Sequence, residues 1–399
     1  MHRLFSLLIR FQILCLFFII FLFYLTHLIH KKIQINSLNN FYKEEAASAK
    51  LIFNKRSVKA TNLLTESYGD PIRVLVIEGG GLRGLFALKA LQYLEEKTGK
   101  PISKLFDVMG GSSIGGLICS ALSVPGVDGA KYKASDLNAL ILDSSNVLNN
   151  NRMNKIFSLK GLLSPRILNI DYIKNLQLVY GDTLLSDSIN HLILAGFNMD
   201  NMETTLFHSR GPLLLTTNPL LYQLIGGTTS PFGFMPPNKI LLNSSEEPAH
   251  ICDAAMFLNN PTLRIILDLK KMYPEKKILL VYISFRAFRK VPLIKPPFFS
   301  GYIDFARWFI PIYIDEYAIA ITSYVQHLAK YKEFGITDFY EIGRNSLPRQ
   351  SLKTRSPLLF TPTNIASYES ASNTLLEGDL SLLDQIIKKL QEPYQPSSM

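Results

Sequence analysis

Two glycine-rich stretches and one aspartate carry residue types that could do chemistry. In "DVMGGSSIGG", residues 107–116, two serines stand among glycines directly after an apolar run. Only Ser113 has a glycine two positions to either side, Gly111 and Gly115; centring on Ser112 would put Ile114 where a glycine is needed. On a sharp turn between strand and helix, this G-x-S-x-G spacing presents a serine as a nucleophile, because the flanking positions approach so closely that side chains would clash. The N-terminus of the following helix then directs partial positive charge toward a developing oxyanion. The other stretch, "EGGGLRG" at 78–84, satisfies G-x-G-x-x-G through Gly79, Gly81 and Gly84. The acidic residue that a dinucleotide ribose needs about twenty positions on is missing, and Leu85 stands where a phosphate-binding loop needs lysine. What remains is flexible backbone whose N–H groups, beside a helix N-terminus, stabilise negative charge.

A serine hydroxyl is a poor nucleophile until a base takes its proton. Downstream of Ser113 the candidate bases are His191, His208, His250 and His327, none singled out by its setting, and Asp253. The aspartate lies in "HICDAAMFLNNPT", among small residues and ahead of Asn259, Asn260 and Pro261. An aspartate at a turn is usually a cap or a solvated charge, so the residues alone leave the base open. Cys15, Cys119 and Cys252 are too widely spaced for a disulfide framework or a zinc cluster and read as buried small hydrophobes. No acidic loop has EF-hand spacing, and no metal or cofactor is expected.

The elements that must hold these groups are legible in the flanking patterns. "IRVLVI" is a β-branched apolar run that ends in the three glycines, and Leu85, Leu88, Leu91 and Leu94 follow at helical spacing. "LFDVMGGSSIGGLICSALSV" repeats the order of strand, glycine turn and helix. Two such units in succession predict an α/β fold with a mainly parallel sheet and helices on its faces. Further along, "LNALILDSSNVL" and "NIDYIKNLQLVYG" read as helices, "HLILAGFNMDNMETTLFHS" as a strand and its continuation, and "KKILLVYISF" as a buried strand. After the prolines of "KVPLIKPPFFSG", aromatic-rich helices are expected around Tyr302 to Tyr331, and a last amphipathic helix around Leu380 to Leu390.

At 399 residues the chain has room for one large domain with appendages. It is 47% hydrophobic and 19% charged, and part of the apolar excess is gathered at the N-terminus. From Phe11 to Ile29 no Asp, Glu, Lys or Arg interrupts the sequence, long enough at 1.5 Å per residue to cross a bilayer core. "HLIHKKIQINSLNN" follows in place of a small-residue cleavage site, which favours an uncleaved single-pass anchor over a signal peptide. Arg3 and Arg10 before the span and Lys31 and Lys32 after it leave its orientation unassigned. The net charge of +10 favours anionic partners without choosing among them. These readings divide the chain into an anchor (1–35), a polar linker (36–71), a main domain (72–290) and a mainly helical extension (291–399).

"GGGLRG" after a strand, "GSSIG" about thirty residues on, and an Asp followed by small residues and "NNP" come in the order found in patatin-like phospholipases, which this chain resembles over about residues 72–290. "GTTSPFGFMPP" at 227–237 is similar to that family's small-residue segment leading into an aromatic and proline stretch. The resemblance implies a three-layer α/β sandwich and a lipid acyl hydrolase, working through a Ser-Asp dyad and an acyl-enzyme. Ser113 would be the nucleophile and Asp253 the general base. The oxyanion hole would come from the loop of Gly79, Gly80, Gly81, Arg83 and Gly84, chiefly the amides around Gly80 and Gly81. Membrane lipids would be the partners, with no nucleic acid. Three departures stand out: Ala254 and Ala255 where glycine is usual, Ser284-Phe285-Arg286 in place of a glycine-rich strand end, and Glu78 where many relatives have Asp. The alternative they leave is a catalytically silent module that binds lipid or protein.

Overall fold

The structure is a computed structural model that describes residues 2–56, 68–141, 164–211, 218–242, 247–288, 302–345, 347, 352 and 356–393. Its elements are α1 (His2–Arg56), β1 (Ile72–Ile77), α2 (Gly84–Thr98), β2 (Val108–Ser112), α3 (Ile114–Ala121), α4 (Ile170–Tyr180), β3 (His191–Asn198) and β4 (Glu203–His208). After these come α5 (Leu221–Thr228), β5 (Asn238–Ile240), β6 (Ala249–Asp253), α6 (Thr262–Met272), β7 (Ile278–Ile283), α7 (Tyr302–Lys330), β8 (Ile336–Ile342) and α8 (Pro362–Gln391).

One sheet runs in the order β5-β6-β3-β2-β1-β7-β8, with β4 paired to β3 off that path. The strands from β3 through β8 along this order are parallel, and β4, β5 and β6 make the antiparallel margin. Both faces of the central strands are buried, as a parallel sheet under crossover helices requires. In β1, Leu75 and Ile77 join one core while Ile72, Val74 and Val76 join the other; in β7, Leu279, Val281 and Ile283 alternate likewise with Ile278, Leu280 and Tyr282. The first core is closed by α2, α3, α4, α5 and α8, and the second by α6 and α7. The result is the expected α/β sandwich of three layers with a mainly parallel sheet.

Two stretches differ from the sequence reading. Where a linker is expected from residue 36, α1 continues to Arg56. Phe41, Tyr42, Ala49 and Phe53 recur every turn or two and are buried against the main domain. Tyr42 donates to Asn169 Oδ1 (3.2 Å) and the Pro237 carbonyl (3.0 Å), while Glu45 accepts from Tyr222 and Gln223 (2.6 and 2.8 Å). The segment looks polar because this stripe is built from small, aromatic and charged residues rather than leucines. The region after residue 290 is likewise no appendage. Strand β8, "ITDFYEI", extends the sheet, and α7 and α8 complete its two layers. Most of the helix expected at 137–148 and the proline stretch at 290–301 lie outside the described residues.

Candidate active site

The site lies where β1 and β2 end. Beyond Ile77 the chain runs through Glu78, Gly79 and Gly80 into a single 3-10 turn, Gly81–Arg83, and then into α2. Gly81 takes φ +54°, and a Cβ there would fall 2.5 Å from the Pro357 carbonyl oxygen. Glu78 is fully buried and ties this loop to two other segments, its carboxylate accepting from Asn259 Nδ2 (2.9 Å) and the Phe285 N–H (2.8 Å). Gly79 N–H donates to the Asn259 carbonyl (3.2 Å). Among the described residues no acceptor meets the N–H groups of Gly80 and Gly81, both of which line the cavity above the loop. Arg83 also lines it, its guanidinium 3.7 Å from Asp315 on α7.

One strand over, Ser113 sits between β2 and α3 with φ 52° and ψ −125°, a conformation that non-glycine residues rarely adopt. The flanking glycines are there for clearance. A Cβ on Gly111 would lie 2.6 Å from the Gly115 carbonyl carbon, and one on Gly115 would lie 2.2 Å from the Ile77 oxygen. Ser113 Oγ donates to Asp253 Oδ2 at 2.5 Å, and the second carboxylate oxygen accepts the Ala255 N–H at 2.8 Å. Asp253 closes β6 and pairs with Gly196 of β3, while β3 pairs with β2; this antiparallel margin carries the carboxylate to the serine. Burial pushes the Asp253 carboxyl up to about 6, against the two hydrogen bonds, which lower it. A carboxylate so placed is a proton acceptor poised near neutral pH.

Two cavities meet at Ser113. The larger, about 480 Å³, is mainly apolar, with Arg83, Asp315 and Asn259 among its polar lining. The smaller, about 60 Å³, runs from Ser113 between Ile114 and Leu117 on one side and Phe234 and Met235 on the other. No histidine lines either. His191 begins β3 opposite Val108, four positions before the Ala195–Ser112 pair, hence about 13 Å down the sheet. His208 bonds to Asp268 and His250 to Asp200, and His327 packs on Tyr331. Among the described residues no group of three His, Cys, Asp or Glu is placed to hold a metal. Cys119 and Cys252 are buried and free. Ala254, φ −82° and ψ −3°, is in ordinary right-handed backbone, so its methyl group imposes no backbone strain.

The sequence residues thus gather around one cavity: Gly79, Gly80, Gly81, Arg83, Ser113 and Asp253 line it directly. Gly84, Gly111 and Gly115 stand behind it; a Cβ on Gly84 would fall 2.5 Å from Ile114, so this glycine lets α2 approach α3. The reading missed Asn259 as a partner of the glycine loop. It also missed Ile310, Ile314 and Asp315 of α7 and the turn at 356–358, which complete the walls from far along the chain. Glu78, read as a departure, is the buried clamp of the loop.

Residues 75–266 match a family model described as patatin-like phospholipase. This stretch is a patatin-like domain. Patatin-like protein 4 of Arabidopsis thaliana is 26% identical over 207 residues, covering 49% of this chain and 51% of that protein. Patatin-like protein 1 of Oryza sativa subsp. indica is 25% identical over 231 residues, 52% of this chain and 56% of that one. The chain therefore spans about half the length of the relatives it matches. Among solved structures, human GIVD cytosolic phospholipase A2 aligns over 90% of this chain and 64% of that chain, at 11% identity and a TM-score of 0.41. That likeness is too loose to add to what the strand order already gives.

Proposed function

We propose that the chain is a membrane-anchored lipid acyl hydrolase of the phospholipase A type. The observation that carries this reading is the Ser113–Asp253 hydrogen bond at the floor of an apolar cavity, beside the amides of Gly80 and Gly81, which meet no acceptor among the described residues. In the mechanism, Asp253 accepts the Ser113 proton as Oγ attacks the ester carbonyl. The carbonyl oxygen becomes an oxyanion, held by the Gly80 and Gly81 amides and by the N-terminal charge of α3, with Arg83 nearby. Collapse expels the alcohol, which takes the proton from Asp253, and leaves the acyl group on Ser113. Water, deprotonated by the same carboxylate, then attacks the acyl-enzyme and releases the fatty acid. The family match supports lipid as the substrate class.

The anchor in this proposal is the N-terminal half of α1. Within Leu16–Phe53, α1 is, among the described residues, the one helix long and apolar enough to cross a membrane. Leu16 through Phe21 are each more than half exposed, so among the described residues this apolar surface has no protein cover. Spanning would hold the cavity beside an insoluble substrate. The silent-module alternative draws on Ala254 and on the altered strand end Ser284-Phe285-Arg286; Ala254 lies in ordinary backbone, and the Phe285 N–H bonds to Glu78 beneath the glycine loop.

The test is fatty-acid release from mixed phospholipid vesicles by the full chain, its Ser113→Ala variant and its Asp253→Asn variant. Release by the parent that vanishes in both variants is the expected result. A folded parent that releases nothing would overturn the hydrolase reading.

A further inference from the structure

Around the mouth of the cavity at Ser113, large apolar side chains lie on the surface rather than in the core. Phe232 lines the cavity and is nevertheless 63% exposed. Met256 lines it too, and its neighbour Phe257, in the helical turn Ala255–Leu258, is exposed and stacks on Phe197 at 4.5 Å. Phe197, Phe257 and Met202 share one groove with a polar edge of Glu203, Thr204 and Arg264, so the apolar surface runs on to the tip of the β3–β4 hairpin. Met202 at that tip is 70% exposed and takes φ 58°, a left-handed conformation in which glycine or asparagine is usual. Neither packing nor backbone preference calls for methionine there. On the other side of the mouth Ile310 of α7 lines the cavity, with Phe309 and Tyr313 exposed beside it and their rings stacked 5.9 Å apart. Single apolar residues on a surface need no explanation, but a set gathered at the entrance to an apolar cavity marks an interaction surface.

The course of α1 says what meets this surface. Its run of exposed apolar residues from Leu16 ends at Ile35. Tyr42, roughly 10 Å further along the helix, donates to the Pro237 carbonyl. Pro237 stands five positions after Phe232, at most about 17 Å of chain. The rim of the cavity is therefore close to the end of the segment proposed to span the bilayer. We infer that Phe232, Phe257, Met202 and the Phe309–Tyr313 edge of α7 dip into the headgroup and outer acyl region of that same bilayer, and that lipid passes from the leaflet into the cavity without entering water. This inference rests on the hydrolase and anchor readings. Aromatic rings suit that depth, where an apolar body meets alkyl chains and a polar tip such as the Tyr313 hydroxyl meets headgroups. The far end of the sheet supplies the contrast. The exposed Val127 follows α3 there, in the loop whose Ser123 carbonyl accepts the Ile189 N–H just ahead of β3.

The experiment places the full chain in phosphatidylcholine vesicles with brominated acyl chains, which quench indole fluorescence on contact. Every fluorescent variant carries Trp308→Phe, which removes the single native tryptophan, and Ser113→Ala, which spares the lipid. Phe232→Trp and Phe257→Trp should lose emission relative to unbrominated vesicles, and Val127→Trp should keep it. In a second arm with Ser113 intact, Met202→Asp combined with Tyr313→Asp charges both sides of the mouth. This variant should lower fatty-acid release from phospholipid vesicles by about tenfold and leave turnover of monomeric p-nitrophenyl butanoate within about twofold of the parent. Emission kept at both rim positions would overturn the inference, and is the result expected if the surface instead meets a protein. Equal losses on vesicles and on the monomeric ester, or no loss on either, would also overturn it. A parent that cleaves neither substrate while both rim positions are quenched would overturn the hydrolase reading and leave the membrane contact standing.

Discussion

The two ends of the sheet hold polar clusters built from similar residue types and put to opposite use. At the end where β1 and β2 stop, Ser113 and Asp253 share a hydrogen bond on the floor of a cavity. At the other end His191 and His208 are both fully buried, 3.4 Å apart, and His208 bonds to Asp268 at 3.1 Å. Each end has a carboxylate and a proton-carrying partner. Burial raises the Asp253 carboxyl, and the hydrogen bonds from Ser113 and Ala255 only partly offset it. At Asp268 burial also pushes upward, but His208, Arg264 and Lys271 outweigh it and hold the carboxyl below its usual range. The lesson is that residue type does not make a site. A strained backbone, a carboxylate raised by burial and an adjoining cavity distinguish one end, and the other is a histidine pair packed in the core against a partly exposed, cation-flanked aspartate.

The sharpest break in this comparison is to remove each cluster in turn. Ser113→Ala should lower ester hydrolysis by about ten thousandfold or more, and Asp253→Asn by about a hundredfold to ten thousandfold. His208→Gln should leave the rate per folded molecule within a fewfold of the parent. If the histidine variant lost as much as the aspartate variant, with circular dichroism showing both folded, the base would have been misassigned. Gly115→Ala comes next. Its methyl group meets the Ile77 carbonyl at 2.2 Å, so displacing the elbow should cost about a hundredfold in kcat while the sheet still melts cooperatively.

A pH profile sharpens the contrast further. Asp253 must be ionised to act as a base, so kcat/KM should rise with pH, turn over near 6 and stay level above it, falling about tenfold for each unit below. The other end should appear in stability rather than rate. Burial, with His208 and Arg210 nearby, holds the His191 imidazole pKa well below the ordinary 6.5. The unfolded chain therefore binds the proton first. Stability is fully present above 6.5 and falls by about 1.4 kcal/mol for each unit below it, until the folded-state pKa is reached. His191→Gln should flatten that slope in denaturant titrations at pH 7.5 and 5.5. The smallest effect expected is a gain: Ser113→Gly relieves the φ 52° conformation and should stabilise the inactive protein by about 1 kcal/mol.

What could be read in the sequence follows from how each part is built. The glycine loop and the Ser113 elbow announce themselves because clearance demands glycine at fixed spacing, a signal confined to a few neighbouring residues. Asp253 stands out from the histidines by its small-residue setting, but its role as base comes only with the order of motifs that the family shares. Glu78 looked like a mere variant because its work, holding Asn259 and Phe285, depends on partners about two hundred residues away. The turn at 356–358 carried no signal, since nothing in "SPLLF" tells that hydrogen bonds from Asn364 and Leu82 hold it at the cavity. Strand β8 is hidden by charged and aromatic residues on a strand that, among the described residues, pairs with β7 alone, and the docked half of α1 by a stripe that contains Glu45.

The unbroken course of α1 ties the direction in which the cavity faces to helical phase. Its second half is fixed to the domain through Tyr42 and Glu45, and its first half is the apolar segment proposed to sit in the bilayer, with no joint between them. A flexible tether would let the domain search all orientations, whereas this connection permits one. One residue inserted between positions 30 and 40 would swing the cavity mouth by about 100° around the helix axis and move it by about 1.5 Å, and seven would bring it to within about 20° of its original bearing.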